Sequence, residues 1–160
     1  MGLVWCSMLS YGLEVGVFES VLVVCVGNVC RSPSAEVMFR HAFGKRSLRV
    51  ASAGLGAMVG RDIDASAQEL LLRAGLNGSG HRARQLDGAM LAEADLVLVM
   101  ERSHLHHVAA ISPQTSGKTF LLGKWQEERG IPDPYRQPLH VFEHVHQLMA
   151  EGVEAWSRHI

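Results

Sequence analysis

Cys25 and Arg31, in Val21-Leu-Val-Val-Cys25-Val-Gly-Asn-Val-Cys-Arg31-Ser-Pro33, are residue types that can capture a phosphate and attack it with sulfur. The residues between them, Val26, Gly27, Asn28, Val29 and Cys30, suffice to wrap a loop whose backbone N–H groups point inward. Such a nest, closed by a helix N-terminus, binds a dianion. Arg31 can grip two phosphate oxygens with its planar fork, which Lys cannot do. The same positive field favours thiolate over thiol at Cys25: a free Cys titrates near ~8.5 and falls well below that at a helix N-terminus beside a cation. A thiolate facing a bound phosphate is a covalent catalyst of phosphoryl transfer.

A Cys-x5-Arg spacing alone also fits a buried strand that ends in an inert cysteine. Three features favour chemistry. Gly27 and Asn28 tolerate the positive φ that an inward-pointing nest requires. The Val/Leu run before Cys25 reads as a central parallel strand. Ser32-Pro33 after it reads as a helix start, with Pro in the first turn where its missing N–H costs nothing. A thiolate that attacks a phosphate monoester must expel an alkoxide or phenoxide, and that oxygen needs a proton donor on another segment. Asp133, in Gly130-Ile-Pro-Asp133-Pro-Tyr135, is the candidate: prolines on both sides exclude helix and present the acid on a stiff loop. A Pro-Asp-Pro taken alone is a turn; beside the phosphate loop it reads as the acid, which can then activate water against a cysteinyl phosphate.

The elements that position these groups follow from periodicity. Strands are expected at Val21–Val26, Leu48–Ser52, Leu96–Met100 and Lys118–Leu122. Helices are expected at Pro33–His41, Ala65–Ala74, Ser103–His107 and Pro138–Trp156. In the second helix Ala67, Leu70, Leu71 and Ala74 share a face, Asp64 is the natural N-cap, Ser66 and Glu69 have capping-box spacing and Gly75 is the stop. In the last, Val141, Val145, Leu148 and Gly152 or Val153 face inward. Strands alternating with helices give an α/β fold: a single-domain open parallel four-stranded sheet with helices on both faces, its ligand at the carboxyl ends of the strands. Cys25 falls at such an end.

At 160 residues the chain makes one domain with a substantial core, and a formal charge of −1 provides no broad cationic surface for nucleic acid. Three cysteines, two of them in the loop, argue against a disulfide framework and for a reducing compartment. Residues 1–19 carry Trp5, Cys6, Tyr11 and Phe18 but no basic residue. They lack the n-region of a signal peptide, are too short for a membrane span, and are expected to be an irregular extension to a domain spanning 20–160. Cys6 reads as a non-catalytic thiol.

Val-Cys25-Val-Gly-Asn-Val-Cys-Arg31-Ser-Pro with Asp133-Pro-Tyr135 far downstream resembles the low-molecular-weight protein tyrosine phosphatase family, as do Ser52-Ala-Gly-Leu-Gly56, Gly80-His-Arg-Ala-Arg-Gln-Leu86 and Val99-Met-Glu101. The resemblance covers nearly everything after Ser20 and is nearest the bacterial branch, whose members act on tyrosine autokinases of exopolysaccharide or capsule export. It implies Cys25 as nucleophile, Arg31 as phosphate and transition-state clamp, Asp133 as general acid, and residues 26 to 30 as loop amides. It implies that Asn28 is left-handed within a polar network of Ser32, Ser52 and His81, that Ser32 also bonds the nucleophile sulfur, and that Leu55 and Tyr135 line a slot for a phenyl ring. The loop Ala53-Gly-Leu-Gly-Ala-Met-Val-Gly60 is small and aliphatic where animal relatives carry bulkier groups, so ring affinity falls to Leu55 and Tyr135. The resemblance also implies a cytoplasmic enzyme without cofactor or metal, a monomer or weak dimer with no membrane insertion, acting on a tyrosine-phosphorylated protein. Spacing and resemblance together allow a protective Cys25–Cys30 disulfide on oxidation.

Other signals are weaker. Gly54-x-Gly56-x-x-x-Gly60 has its third glycine one position late for a dinucleotide fingerprint, and Asp64 is too near to bind a ribose. His104, His106 and His107, or His140 and His144, do not make a metal site without a third ligand and its support. Thioredoxin-coupled arsenate reductase shares this fold and loop, but its chemistry relays a disulfide to mid-chain cysteines that are absent here. A non-catalytic phosphate-binding module would dispense with the Cys, the Arg or the loop Asp, and all three are present.

Overall fold

In the computed structural model, which describes residues 18–160, the Val/Leu run forms β1 (Ser20–Cys25), every residue of it buried. Side chains alternate across a strand. Val21, Val23 and Cys25 enter one hydrophobic core and Leu22 and Val24 another. β3 (Leu96–Val99) repeats the pattern, with Leu96 and Leu98 on the first face and Val97 and Val99 on the second. Each such side chain taken from water contributes roughly 1.5–3 kcal/mol, so β1 and β3 form the centre of the sheet. β2 (Arg49–Gly54) and β4 (Thr119–Leu121) flank them in the order β2-β1-β3-β4, all parallel. The open parallel sheet expected from the sequence is present. The order reverses between β1 and β3, and Cys25 ends β1 at that switch point, where such sheets bind ligands.

α1 (Arg31–Ala42), α2 (Ala65–Arg73) and α5 (Leu139–Ser157) bury apolar faces in the first core. α3 (Gly88–Glu93) and α4 (Arg102–Ile111) supply Leu91 and Val108 to the second. Local chemistry sets the ends. Asp64 caps α2 by accepting from Ser66 N at 2.8 Å, and Gly75, at φ 76°, closes it with bonds from Gly75 N to Leu72 O and Leu76 N to Leu71 O. Glu69 pairs with Arg73 rather than completing a capping box, and Ala74, at the C-cap, is exposed.

Several boundaries differ from expectation. α1 begins two residues before Pro33, α4 runs on to Ile111, and Lys118 closes a 3-10 turn before β4. In α5 the buried face includes Phe142, while Val141 is half-buried. α3 was not expected: one buried residue, Leu91, gives no periodicity, and only the Asp87 cap, accepting from Met90 N at 2.8 Å, marks it. Most of the extension expected over residues 1–19, with Cys6, lies outside the described residues; Phe18 packs against the first core. Ahead of β1, Glu19 N and Ser20 N donate to Asp95 at 2.9 and 3.0 Å, and these bonds hold its carboxyl below the usual range. Among the described residues no helix is long and apolar enough to cross a membrane.

A Cβ on Gly54 would lie 2.5 Å from Val26 O and 3.0 Å from the Ala57 Cα, both backbone. Gly54→Ala is therefore expected to cost about 1–3 kcal/mol in urea unfolding. Gly88→Ala, where nothing lies within 4 Å of the added carbon, is expected to be neutral or stabilising in the same measurement.

Candidate active site

Between the end of β1 and the start of α1 the chain turns its carbonyls outward. Cys25 O accepts from Leu55 N at 2.9 Å, Val26 O from Gly56 N at 3.0 Å and Gly27 O from Met58 N at 3.0 Å. Asn28 O accepts from His81 Nε2 at 2.7 Å, Val29 O from Asp64 N at 2.8 Å and Cys30 O from Ser34 Oγ at 2.7 Å. A trans peptide sets each following N–H opposite its carbonyl. The amides of residues 26 to 31 therefore turn to the inner side, above the Cys25 sulfur. Asn28 N lies 3.3 Å from Cys25 Sγ; the others bond to no described residue. The first amides of α1 join them, since its N-cap, Cys30, makes no side-chain capping bond. The loop is thus built to surround a tetrahedral oxyanion with donors.

Asn28 makes this curl possible. It sits at φ 55°, a left-handed conformation, and is fully buried. Its Nδ2 donates to Ser32 Oγ at 2.8 Å and Ser52 Oγ at 3.0 Å, and its Oδ1 accepts from Arg84 N at 3.0 Å. A carbonyl can only accept, so His81 carries a hydrogen on Nε2 to bond Asn28 O. Ser32 Oγ lies 2.9 Å from Cys25 Sγ. Ser32, Ser52 and His81 thus gather around Asn28 as the resemblance implied; the Arg84 amide was not foreseen because a backbone donor leaves no mark in the sequence. Gly27, by contrast, does not adopt positive φ, and a Cβ there would meet only ordinary contacts.

The Arg31 side chain is 1% exposed, and its charge is met from several sides. One terminal nitrogen donates to Glu101 Oε1 at 2.5 Å and Ile131 O at 2.9 Å, and the other lies 3.5 Å from Asp133 Oδ2. Glu101 was not singled out for chemistry in the sequence. It caps α4 in a reciprocal arrangement with His104, whose Nδ1 accepts from Glu101 N at 3.3 Å. Burial, with the Arg31 charge behind it, holds the His104 imidazole below its usual range, in keeping with an acceptor nitrogen. His140 and His144 are exposed on α5.

Asp133 and Tyr135 reach the loop from the opposite side. Tyr135 N donates to Asp133 Oδ1 at 3.1 Å, a turn that the flanking prolines stiffen. The cavity they close measures about 180 Å³; apart from the phosphate loop and Arg31 it is lined by Gly56, Met58, Asp133 and Tyr135. Leu55, expected in the slot, does not line it. The alternation of β2 persists past Gly54, so Ala51, Ala53 and Leu55 all turn to the second core, and Met58 takes the apolar wall. Cys25 and Cys30 are both buried free thiols, and burial pushes Cys30 well above the usual thiol range.

Glu101→Gln keeps the shape of the contact to Arg31 but removes its charge. A hydrogen bond to a charged group is worth roughly 1.5–3 kcal/mol and Arg31 stays buried, so stability in urea unfolding is expected to fall by about that much.

Residues 20–160 match the family described as low molecular weight phosphotyrosine protein phosphatase. The protein-tyrosine-phosphatase Wzb of Salmonella typhimurium is 43% identical over 141 residues, covering 88% of this chain and 93% of that protein. Etp of Escherichia coli K12, named likewise, is 39% identical over 143 residues, 89% of this chain and 95% of its own. Among solved structures, Vibrio vulnificus Wzb in complex with benzylphosphonate superposes with a TM-score of 0.86 at 38% identity, covering 89% of this chain and 99% of that one. Wzb of Escherichia coli K30 in complex with sulphate gives 0.85 at 40% identity, with 88% and 97% covered. With that extent of match in sequence and fold, the chain belongs to the low molecular weight phosphotyrosine protein phosphatase family and is a cysteine-dependent protein-tyrosine phosphatase.

Proposed function

We propose that Cys25 attacks the phosphorus of a protein phosphotyrosine, with Asp133 as the acid and Arg31 as the clamp. One observation carries this reading: a single cavity of about 180 Å³ brings together Cys25, Arg31, Asp133 and Tyr135. The phosphoryl group sits in the nest of amides from Val26 to Arg31, and the Arg31 fork holds two of its oxygens. The sulfur attacks in line with the phenolic oxygen, forming an S–P bond as the P–O bond breaks. Asp133 gives its proton to the departing phenolate. The resulting carboxylate then takes a proton from water, whose oxygen attacks phosphorus; the S–P bond breaks, the thiolate returns and inorganic phosphate leaves. The Asn28 N–H and the Ser32 hydroxyl face the sulfur at 3.3 and 2.9 Å, where they stabilise charge on it each time it departs. Tyr135 and Met58 offer the phenyl ring its apolar contact, and Asn28, Ser52 and His81 hold the loop in shape.

The physiological substrate we propose is a tyrosine autokinase of polysaccharide export, on the family resemblance of the motifs, and the thiolate chemistry suits a cytoplasmic setting. Deletion of the gene is expected to raise phosphotyrosine on that kinase and alter exported polysaccharide; unchanged levels of both would remove this assignment.

Hydrolysis of a phosphotyrosyl peptide with EDTA present tests the mechanism. Cys25→Ser is expected to abolish turnover, and Asp133→Ala to lower kcat by about 10²- to 10⁴-fold. Turnover that survives Cys25→Ser overturns the nucleophile; an Asp133→Ala enzyme with native kcat overturns the acid.

A further inference from the structure

A cavity more than twice the size of the catalytic one, about 410 Å³, lies on the other side of the Asn28 network, between α1, the outer edge of β2 and residues 77–84. Its lining includes the apolar Pro33 and Val37 together with Arg40, Arg82 and Arg84. Arg84 is fastened by one arm only, whereas Arg40 is held both by a backbone carbonyl and by Glu36. Arg84 Nε donates to Ser52 O at 2.9 Å and Arg40 to Val50 O at 2.9 Å, so both cover the carbonyls of the edge strand. The terminal nitrogens of Arg84 bond to no described residue, and Arg82 pairs with exposed Asp62. Glu36 is the only acid in the wall. Glu36 and Asp62 offset two of the three guanidinium groups, which leaves the charge of Arg84 in excess in a space of metabolite size.

We infer that this cavity binds a small organic phosphate, and that binding there restrains the catalytic loop. The arginines take the phosphate oxygens, and Pro33 and Val37 beside them meet the organic body. Coupling, which rests on the function proposed above, runs through the shared wall. Arg40 pairs with Glu36 at 2.5 Å, Glu36 accepts from the Ser52 hydroxyl, and Ser52 in turn accepts from the Asn28 amide at 3.0 Å. An incoming oxyanion competes with Glu36 for Arg40 and repels its carboxylate. Ser52 then loses its acceptor, and one of the two hydroxyls that orient the Asn28 amide is freed. His81, which bonds Asn28 O, stands in the same wall. Occupancy is therefore expected to lower turnover even when the catalytic cavity is saturated with substrate.

Two measurements separate binding from coupling. In Arg31→Ala protein, whose catalytic loop has lost its clamp, inorganic phosphate and ribose 5-phosphate are titrated against the amide resonances of Ser79 and Gly80. Saturable shifts, tighter for ribose 5-phosphate and at least tenfold weaker once Arg82→Gln and Arg84→Gln are added, support the site. Shifts that are absent, or unaffected by those changes, overturn it. An intact unfolding midpoint checks that the variant is folded, and Arg82→Gln alone, at an exposed position, gives the same reading with a smaller loss. In steady-state assays with saturating phosphotyrosyl peptide, ribose 5-phosphate is expected to lower the rate severalfold. In Arg82→Gln protein, compared with its own uninhibited rate, that effect is expected to disappear. Purely competitive inhibition overturns the coupling. If the native protein hydrolyses no phosphotyrosyl peptide, the proposed function fails, and the amide titration still decides whether this cavity binds phosphate.

Discussion

The direction of six peptide planes governs this site. A loop that faces an anion with its amides must present its carbonyls to something else, because buried polar groups left without partners are costly. Here each carbonyl from Cys25 to Cys30 has a donor: three come from the loop after β2, and the others from His81, the entrance of α2 and the first turn of α1. The chain can curl this way only if one residue turns left-handed, which costs a non-glycine residue roughly 1–2 kcal/mol. Asn28 accepts that cost because its side chain makes three bonds that a glycine could not make. The shape of the loop is therefore fixed by bonds within the protein itself.

The charges follow from that frame. A fully buried Arg31 would be prohibitive without partners, and Glu101, Ile131 O and Asp133 surround it. Ile131 ties the segment bearing Asp133 to the sheet as well, since its N–H donates to Met100 O at 2.9 Å just beyond β3. One arginine thus connects the loop after β1, the cap of α4 and the segment of Ile131 and Asp133. Burial pushes Cys30 toward its neutral thiol, and the Cys25 sulfur meets an N–H and a hydroxyl.

What could be read from the chain was local or periodic. The unbroken Val/Leu run announced a strand buried on both faces, the Cys-x5-Arg spacing announced the nest, and Asp64 and Gly75 marked the ends of α2. α3 was illegible because six residues with a single buried leucine have no period. Leu55 was misplaced because the count of residues after β2 does not reveal that side-chain alternation continues through the turn. Glu101 went unweighted because nothing in the chain shows that it meets Arg31, which lies far from it in sequence.

The amino-acid sequence by itself determined the strand order of events at Cys25: which residue ends β1, which amides follow, and where the next helix takes hold. These depend on neighbours in the chain, on β-branching, on the conformational reach of Asn and on Pro. The tertiary structure alone decided which partners meet the loop from afar. Ser52, His81, the Arg84 amide, Glu101 and Asp133 arrive from segments 24 to 102 residues away along the chain. Their meeting depends on sheet order and register, on β2 lying beside β1 with Ser52 opposite Val23 and on β3 ending next to Cys25. No spacing in the chain encodes such distances, because they are fixed by packing across two cores rather than by the backbone between them.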